Sequence, residues 1–256
     1  MTKTRRPCPI AVGEARKLLT ELRIRSSEEI NIELIAGHCG FLVSRQPMQN
    51  AEGRLLSSSS VGVIAVADSA YKSHKWRFVI AHELGHSRRH RMLNQLDICS
   101  DADLRTAYAG REAEANDFAS ELLMPSEFFR AKCDINRPSL RDIRALATEF
   151  STSITATALR FVSFTAEACA IVHSTGGKVD WVSRSDTFTL FIANGLALGA
   201  TTHAGDLHAG RAAPDYLSQV DGPAWSESAY AERIDLFEHS MKVAPNAVLT
   251  LLWHRY

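Results

Sequence analysis

The stretch that most limits how this chain can fold is FVIAHELGHSRRHR, Phe78 to Arg91. An α-helix turns about 100° per residue, so positions four apart share a face and lie about 6 Å apart along the axis. His82 and His86 therefore project side by side from one helix, and Glu83 falls at the edge of their face. Two imidazoles one turn apart can converge on a single ion at a Zn–N distance of ~2.0–2.1 Å. Glu83 is poorly placed to join them as a ligand and well placed to take a proton from water on the ion. That division of labour makes His-Glu-x-x-His a hydrolytic pattern. Trp76, Phe78, Val79, Ile80 and Ala81 precede the pair and suit a buried helix. Gly85 adds a second constraint. Glycine inside a helix costs ~1 kcal/mol relative to alanine, so its presence implies close approach of another backbone.

The motif alone leaves the site incomplete, because a catalytic zinc takes three protein ligands and keeps one open position. His90 lies about 12 Å from His82 along the axis, too far to share the ion. A metzincin needs glycine at 89 and histidine at 92, where this chain has Arg89 and Met92, so that class is excluded. The carboxylates of the next strong helix, REAEANDFASELLMP from Arg111, are better placed. Its apolar stripe runs through Ala115, Phe118, Ala119, Leu122 and Leu123 and stops at Pro125. The helical wheel favours Glu112 over Glu114, but periodicity does not decide between them.

Around these two helices the pattern is mixed. Val12, Ala15, Leu18, Leu19 and Leu22 have helical spacing, and EEINIELIAGHCG reads as a second helix stopped near Gly40. FLVSRQP is a strand, and GRLLSSSSVGVIAVA is two strands about the turn Ser57 to Ser60. The apolar strand Val61 to Val66 fits two placements: an exposed sheet edge, where an extended peptide could add to it, or an internal core strand. NQLDICSDADLRTAYAG is polar and aperiodic, and reads as a loop. Shorter helices follow near Pro125–Lys132, Ser139–Phe150 and after the Ser/Thr cluster at 151–153. From Ala168 the period changes to two: a hairpin turns at Gly176-Gly177, and late strands are read in RIDLFEHSMKV and AVLTLLWHRY. HAGDLH (His203, Asp206, His208) lies in Gly/Ala-rich sequence and is read as a flexible polar loop, not as a second metal site.

Bulk properties exclude several function classes. With 256 residues, 45% hydrophobic and 23% charged, the chain is an ordinary globular protein, and its zero net charge gives no sign of a polyanion-binding surface. No apolar run approaches the ~18 residues of a membrane span, and no h-region follows the basic start. The five scattered cysteines fit reduced thiols in a cytoplasm.

Taken together, HELGH and the later glutamate three before an Ala-Asn pair, then Phe-Ala and Leu-Leu-Met-Pro, resemble the ImmA/IrrE metallopeptidases. The residues that carry this are His82, Glu83, His86, Glu112, Ala115, Asn116, Phe118, Ala119, Leu122, Leu123, Met124 and Pro125, and the likeness covers about residues 10–130. The resemblance implies an α+β fold: a mostly helical gluzincin-like domain with a small sheet (1–135), a helix-turn-helix-like segment (136–165) and a smaller β-rich C-terminal domain (166–256), where the longer IrrE branch carries a GAF-like sensor. It implies one catalytic Zn²⁺ held by His82, His86 and Glu112, with Glu83 as general base. It also implies site-specific cleavage of an XRE-type helix-turn-helix repressor, which derepresses stress-response or mobile-element genes. A competing expectation is a zinc-containing module that sequesters a repressor without cutting it. Direct DNA binding is not expected, since SITATALRF offers only Arg160 as a cation. Tyr71, His74, His90 and Tyr108 are the candidate oxyanion donors, none of them singled out by the pattern.

Overall fold

The computed structural model describes residues 7–48, 51–57, 62–72, 75–89, 98–99 and 110–255. The expectations at His74, His90 and Tyr108, at the 58–60 turn and for most of the 94–110 loop lie outside these residues. Two compact units result. The first holds the described residues up to Phe129 with Glu149–Ser153; the second holds Arg130–Thr148 and the described residues from Ile154 onward. The fold is mixed α+β, with a small mixed sheet in the first unit and a separate antiparallel sheet in the second.

In the first unit the order is α1 (Pro9–Glu21), α2 (Ile32–His38), β1 (Phe41–Gln46), β2 (Gly53–Ser57), β3 (Gly62–Ala67), α3 (Asp68–Lys72), α4 (Trp76–Arg89), β4 (Ile98–Cys99), α5 (Gly110–Leu123) and α6 (Ser126–Phe129). Pro9 opens α1, where its fixed φ suits the first turn and its missing N–H costs nothing. Asn31 caps α2 by accepting from the backbone N–H groups of Glu33 and Leu34, both at 3.2 Å. Gly40, at φ 85°, turns the chain into β1.

The sheet runs β1-β3-β2-β4, with β1 parallel and β2 antiparallel to β3. The strand at 62–67 is therefore interior, which decides for the core strand over the exposed edge. The reason is burial on both faces. Ile64 and Val66 face the helical core while Ala65 and Ala67 are also shut off from solvent. A strand this apolar is stable only with neighbours on both sides. The two residues of β4 lie within the stretch read as loop.

Ile64 and Val66 pack with Val79, Ile80 and Leu84 of α4, Leu18 of α1, and Phe118 and Leu122 of α5. Helices α4 and α5 meet at Gly85. A Cβ there would stand 3.0 Å from Ala115 Cα and 3.2 Å from the Ala115 carbonyl oxygen. The close approach inferred from a mid-helix glycine is thus the contact that sets this crossing. Helix α1 fastens the pair from outside. The buried Glu121 accepts from Arg16 Nε at 2.8 Å and from the Ser126 N–H and hydroxyl at 3.2 and 2.8 Å. The Cys8 N–H donates to Asp117 at 2.7 Å.

The second unit contains α7 (Leu140–Glu149), of which Glu149 belongs to the first unit, then α8 (Ile154–Val162), β5 (Cys169–Thr175), β6 (Lys178–Arg184), α9 (His203–His208), β7 (Ser218–Val220), β8 (Leu236–Ala244) and β9 (Ala247–His254). Its sheet order is β6-β5-β9-β8-β7, antiparallel throughout. The β5–β6 turn is Gly176-Gly177, both at positive φ, as a tight hairpin requires.

Helix α9 corrects the reading of HAGDLH as a flexible loop. Thr202 caps it by accepting from the Gly205 N–H at 2.9 Å, and the Ala204 N–H donates to Glu238 at 2.7 Å. Gly205 lies so close to the Gly199 carbonyl that no side chain would fit. Capping and tertiary contacts, not hydrophobic period, hold this turn of helix. Glu238 itself is fully buried and also accepts from Trp225 Nε1 at 2.9 Å and Ser240 Oγ at 2.7 Å. Among the described residues no helix is long and apolar enough to cross a membrane.

Substituting Gly85→Val forces branched carbons against the α5 backbone. Overpacking of this kind costs about 1–3 kcal/mol, so we expect the melting temperature of metal-free protein to fall by several degrees, measured by circular dichroism.

Candidate metal centre

Two turns of α4 and one of α5 build the site. His82 and His86 are buried on the inner face of α4, with ring centroids 4.6 Å apart and planes at 78°. Glu112 lies in the first turn of α5, one turn before the Ala115 that abuts Gly85. This brings its carboxylate between the imidazoles: Oε2 is 3.1 Å from His82 Nε2 and Oε1 is 3.2 Å from His86 Nε2. The two Nε2 atoms are 3.0 Å apart. His82, His86 and Glu112 form the one group of metal-ligating side chains found among the described residues.

This cluster fits a tetrahedral metal. Ligand atoms ~2.0–2.1 Å from a tetrahedral ion stand roughly 3.3 Å apart, close to the separation of the two Nε2 atoms and to that of each Nε2 from its nearer Glu112 oxygen. The donor set also fits in its protonation. His82 Nδ1 is 2.9 Å from Asn116 Oδ1, an oxygen that can only accept. Nδ1 therefore carries the proton, and Nε2 turns a lone pair into the triangle. Burial holds the His82 pKa below the ordinary imidazole value, helped by His86 and opposed by Glu112 and Asn116. Burial would raise Glu112, but hydrogen bonding to imidazoles that carry a proton on Nε2 outweighs that and holds its carboxyl well below the usual range; loss of that proton leaves the Nε2 lone pair for a metal beside a carboxylate already ionised. A neutral imidazole and an ionised carboxylate are the ligand forms of these groups. Glu112 keeps a side-chain exposure of 32%, so the triangle opens on its side.

Glu83 is wholly buried beside this cluster, with both carboxylate oxygens shielded from solvent. Strand β2 passes directly against it. A Cβ on Gly53 would stand 2.9 Å from Glu83 Oε1 and collide with Val79. Of the candidate oxyanion donors, Tyr71 is the one described. It stacks on Trp76, with ring centroids 5.4 Å apart, and lies under the Arg45 guanidinium.

The structure thus brings His82, His86 and Glu112 together with Glu83 adjoining. The parts played by Asn116 and Gly53 were not read from the sequence. Asn116 had a usable signal, since it lies four residues after Glu112 and so on the same face of α5. Gly53 had none, because its neighbour Glu83 is distant in sequence.

A helix-borne His-Glu-x-x-His completed by a carboxylate from the adjoining helix is the arrangement of a metallopeptidase-like domain. Residues 36–162 match the family model described as Peptidase_M78, IrrE N-terminal-like domain. The match leaves α1 outside and extends past the HELGH and EAEAN stretches to take in α7 and α8. No curated protein matches the chain. Among solved structures it is similar to one titled Mycobacterium tuberculosis transcriptional regulator, with a TM-score of 0.60 and 15% identity over 97% of this chain and 89% of that one. At that identity the likeness is one of fold.

Replacing Asn116→Ala removes the acceptor that orients His82. Loss of such a partner costs roughly 10–100-fold in metal affinity, and we expect a weakening of this size for Zn²⁺ in competition with a chromophoric chelator, with the melting curve of the metal-free protein little changed.

Proposed function

We propose that the chain is a zinc-dependent endopeptidase that cuts a helix-turn-helix repressor of the XRE type at a specific site, derepressing stress-response or mobile-element genes in the cytoplasm. The observation that carries the reading is the triangle of His82 Nε2, His86 Nε2 and Glu112, with Glu83 one residue beyond the first ligand. In this reading residues 1–135 are the peptidase domain, 136–165 a helical segment and 166–256 a GAF-like sensory domain.

His82, His86 and Glu112 hold a single Zn²⁺, and Glu83 does the proton chemistry. The metal supplies Lewis acidity, which lowers the pKa of water towards ~7 and polarises a carbonyl. Glu83 accepts a proton at its carboxylate as water attacks the scissile carbonyl carbon, then delivers it to the departing amine nitrogen. Its buried setting keeps bulk water from that transfer. Arg160 argues against a DNA-reading role for the helical segment. It is nearly buried and its guanidinium stacks over Phe164 at 4.7 Å, which withdraws it from any phosphate.

The burial of Glu83 also favours a second reading. Both its oxygens are shielded, which restricts the approach of water and fits a zinc-containing module that binds and sequesters a repressor without hydrolysing it.

One experiment separates the two. The protein, loaded with zinc, is incubated with a helix-turn-helix repressor encoded beside it, and fragments are followed by gel and mass spectrometry. The peptidase reading expects discrete fragments from wild type, and from Glu83→Gln full zinc binding with cleavage slowed by about 10²–10⁴. Unimpaired cleavage by Glu83→Gln rejects the role given to Glu83. A stable complex that never yields fragments establishes the binding module instead.

A further inference from the structure

A buried histidine outside the metal centre stands in an arrangement that only its neutral form can make. His239, on β8, is about 1% exposed. Its Nδ1 lies 3.2 Å from the backbone nitrogen of Leu140, the first residue of α7. The first N–H groups of a helix have no partner inside it. Here Ser139 and Asp142 form one cap, the Ser139 N–H and hydroxyl donating to Asp142 at 2.8 and 2.7 Å, while the Arg141 N–H donates to Ser139 Oγ at 3.3 Å. The Leu140 N–H goes instead to the imidazole. A backbone N–H can only donate, so Nδ1 holds the lone pair and the ring proton sits on Nε2, which faces Asp215 Oδ1 at 3.4 Å.

A second proton on this ring can go only to Nδ1. That sets one N–H against another and places a positive charge at the positive end of the helix dipole. We propose that His239 is a proton-operated latch: neutral, it caps α7 and holds it to the C-terminal sheet; protonated, it lets the start of α7 go.

The charged groups facing His239 are Asp215 on the loop before β7 and Arg141 and Arg144 on α7. Its cross-strand partner on β9, Leu251, is apolar. Asp215 favours the imidazolium but is mostly exposed and shared with Arg141 at 3.0 Å, and the two arginines oppose it. Burial is the largest influence and holds His239 below the ordinary value of 6.5. The unfolded chain therefore takes up this proton before the folded one. The latch is complete above the ordinary histidine value, and its contribution is lost as pH falls through the folded one.

Nuclear magnetic resonance of the full chain tests the latch. The His239 ring is expected to titrate below 6.5. The Leu140 amide should shift with the same midpoint and lose about five- to tenfold in protection against exchange, corrected for intrinsic rate. His239→Asn carries an acceptor near the Nδ1 position that does not titrate. In that variant the Leu140 amide should stay constant from about pH 7 to 5, the range in which histidine charge switches. Asp215→Asn should move the wild-type midpoint lower. A Leu140 amide indifferent to the His239 titration, a pH response that persists in His239→Asn, or a ring that stays neutral until the chain unfolds each overturns the latch. If His239→Asn does not fold, Asp215→Asn decides, and an unmoved midpoint overturns it.

Discussion

The contact of Gly85 with the backbone of Ala115 is the constraint on which the metal centre depends. Two helices can cross this closely only where one lacks a side chain. With α5 pressed onto α4 at that point, Glu112, one turn earlier, reaches both imidazoles, and Asn116, one residue later, reaches the far nitrogen of His82. The fastening of α1 across α5, through Glu121 and Asp117, keeps the crossing closed.

Burial does as much as position. His82 is driven towards its neutral form by desolvation, and Glu112 is kept ionised by the imidazoles despite it. The two Nε2 atoms and the Glu112 carboxylate lie within hydrogen-bond distance of one another, where either a shared proton or a divalent ion satisfies them. The same burial shields Glu83, which suits proton transfer out of reach of bulk water and also restricts what can approach it. This is why the peptidase and the sequestering module share one set of observations and differ only in the fate of a bound partner.

In the second unit a buried polar cluster is set beside the apolar core. Glu238 is fully buried and met by an indole, a hydroxyl and a backbone N–H, and these contacts draw Trp225 and α9 onto the sheet. Interior polar groups of this kind are stable only when each is partnered, and they then specify one arrangement. His239 belongs to the same logic on the other side of β8, where a neutral imidazole takes the place of a side-chain cap.

The sequence by itself determined the elements whose signal is local. The spacing of His82 and His86, the apolar stripe of α5, the Gly176-Gly177 hairpin and the change of period near Ala168 all depend on neighbours within a few residues, and each stands where the pattern put it. Gly85 announced a close approach without saying to what. Only the tertiary structure decided the rest, because the deciding partners are far apart along the chain. The helical wheel alone left Glu112 and Glu114 open, and the crossing at Ala115 brings Glu112 to the histidines. Strand β3 proved interior because β1 takes its other side. HAGDLH is a helix where Thr202 caps it and Glu238, more than thirty residues on, accepts the Ala204 N–H. Periodicity reports which face of an element is apolar; it carries no record of which distant group that face will meet.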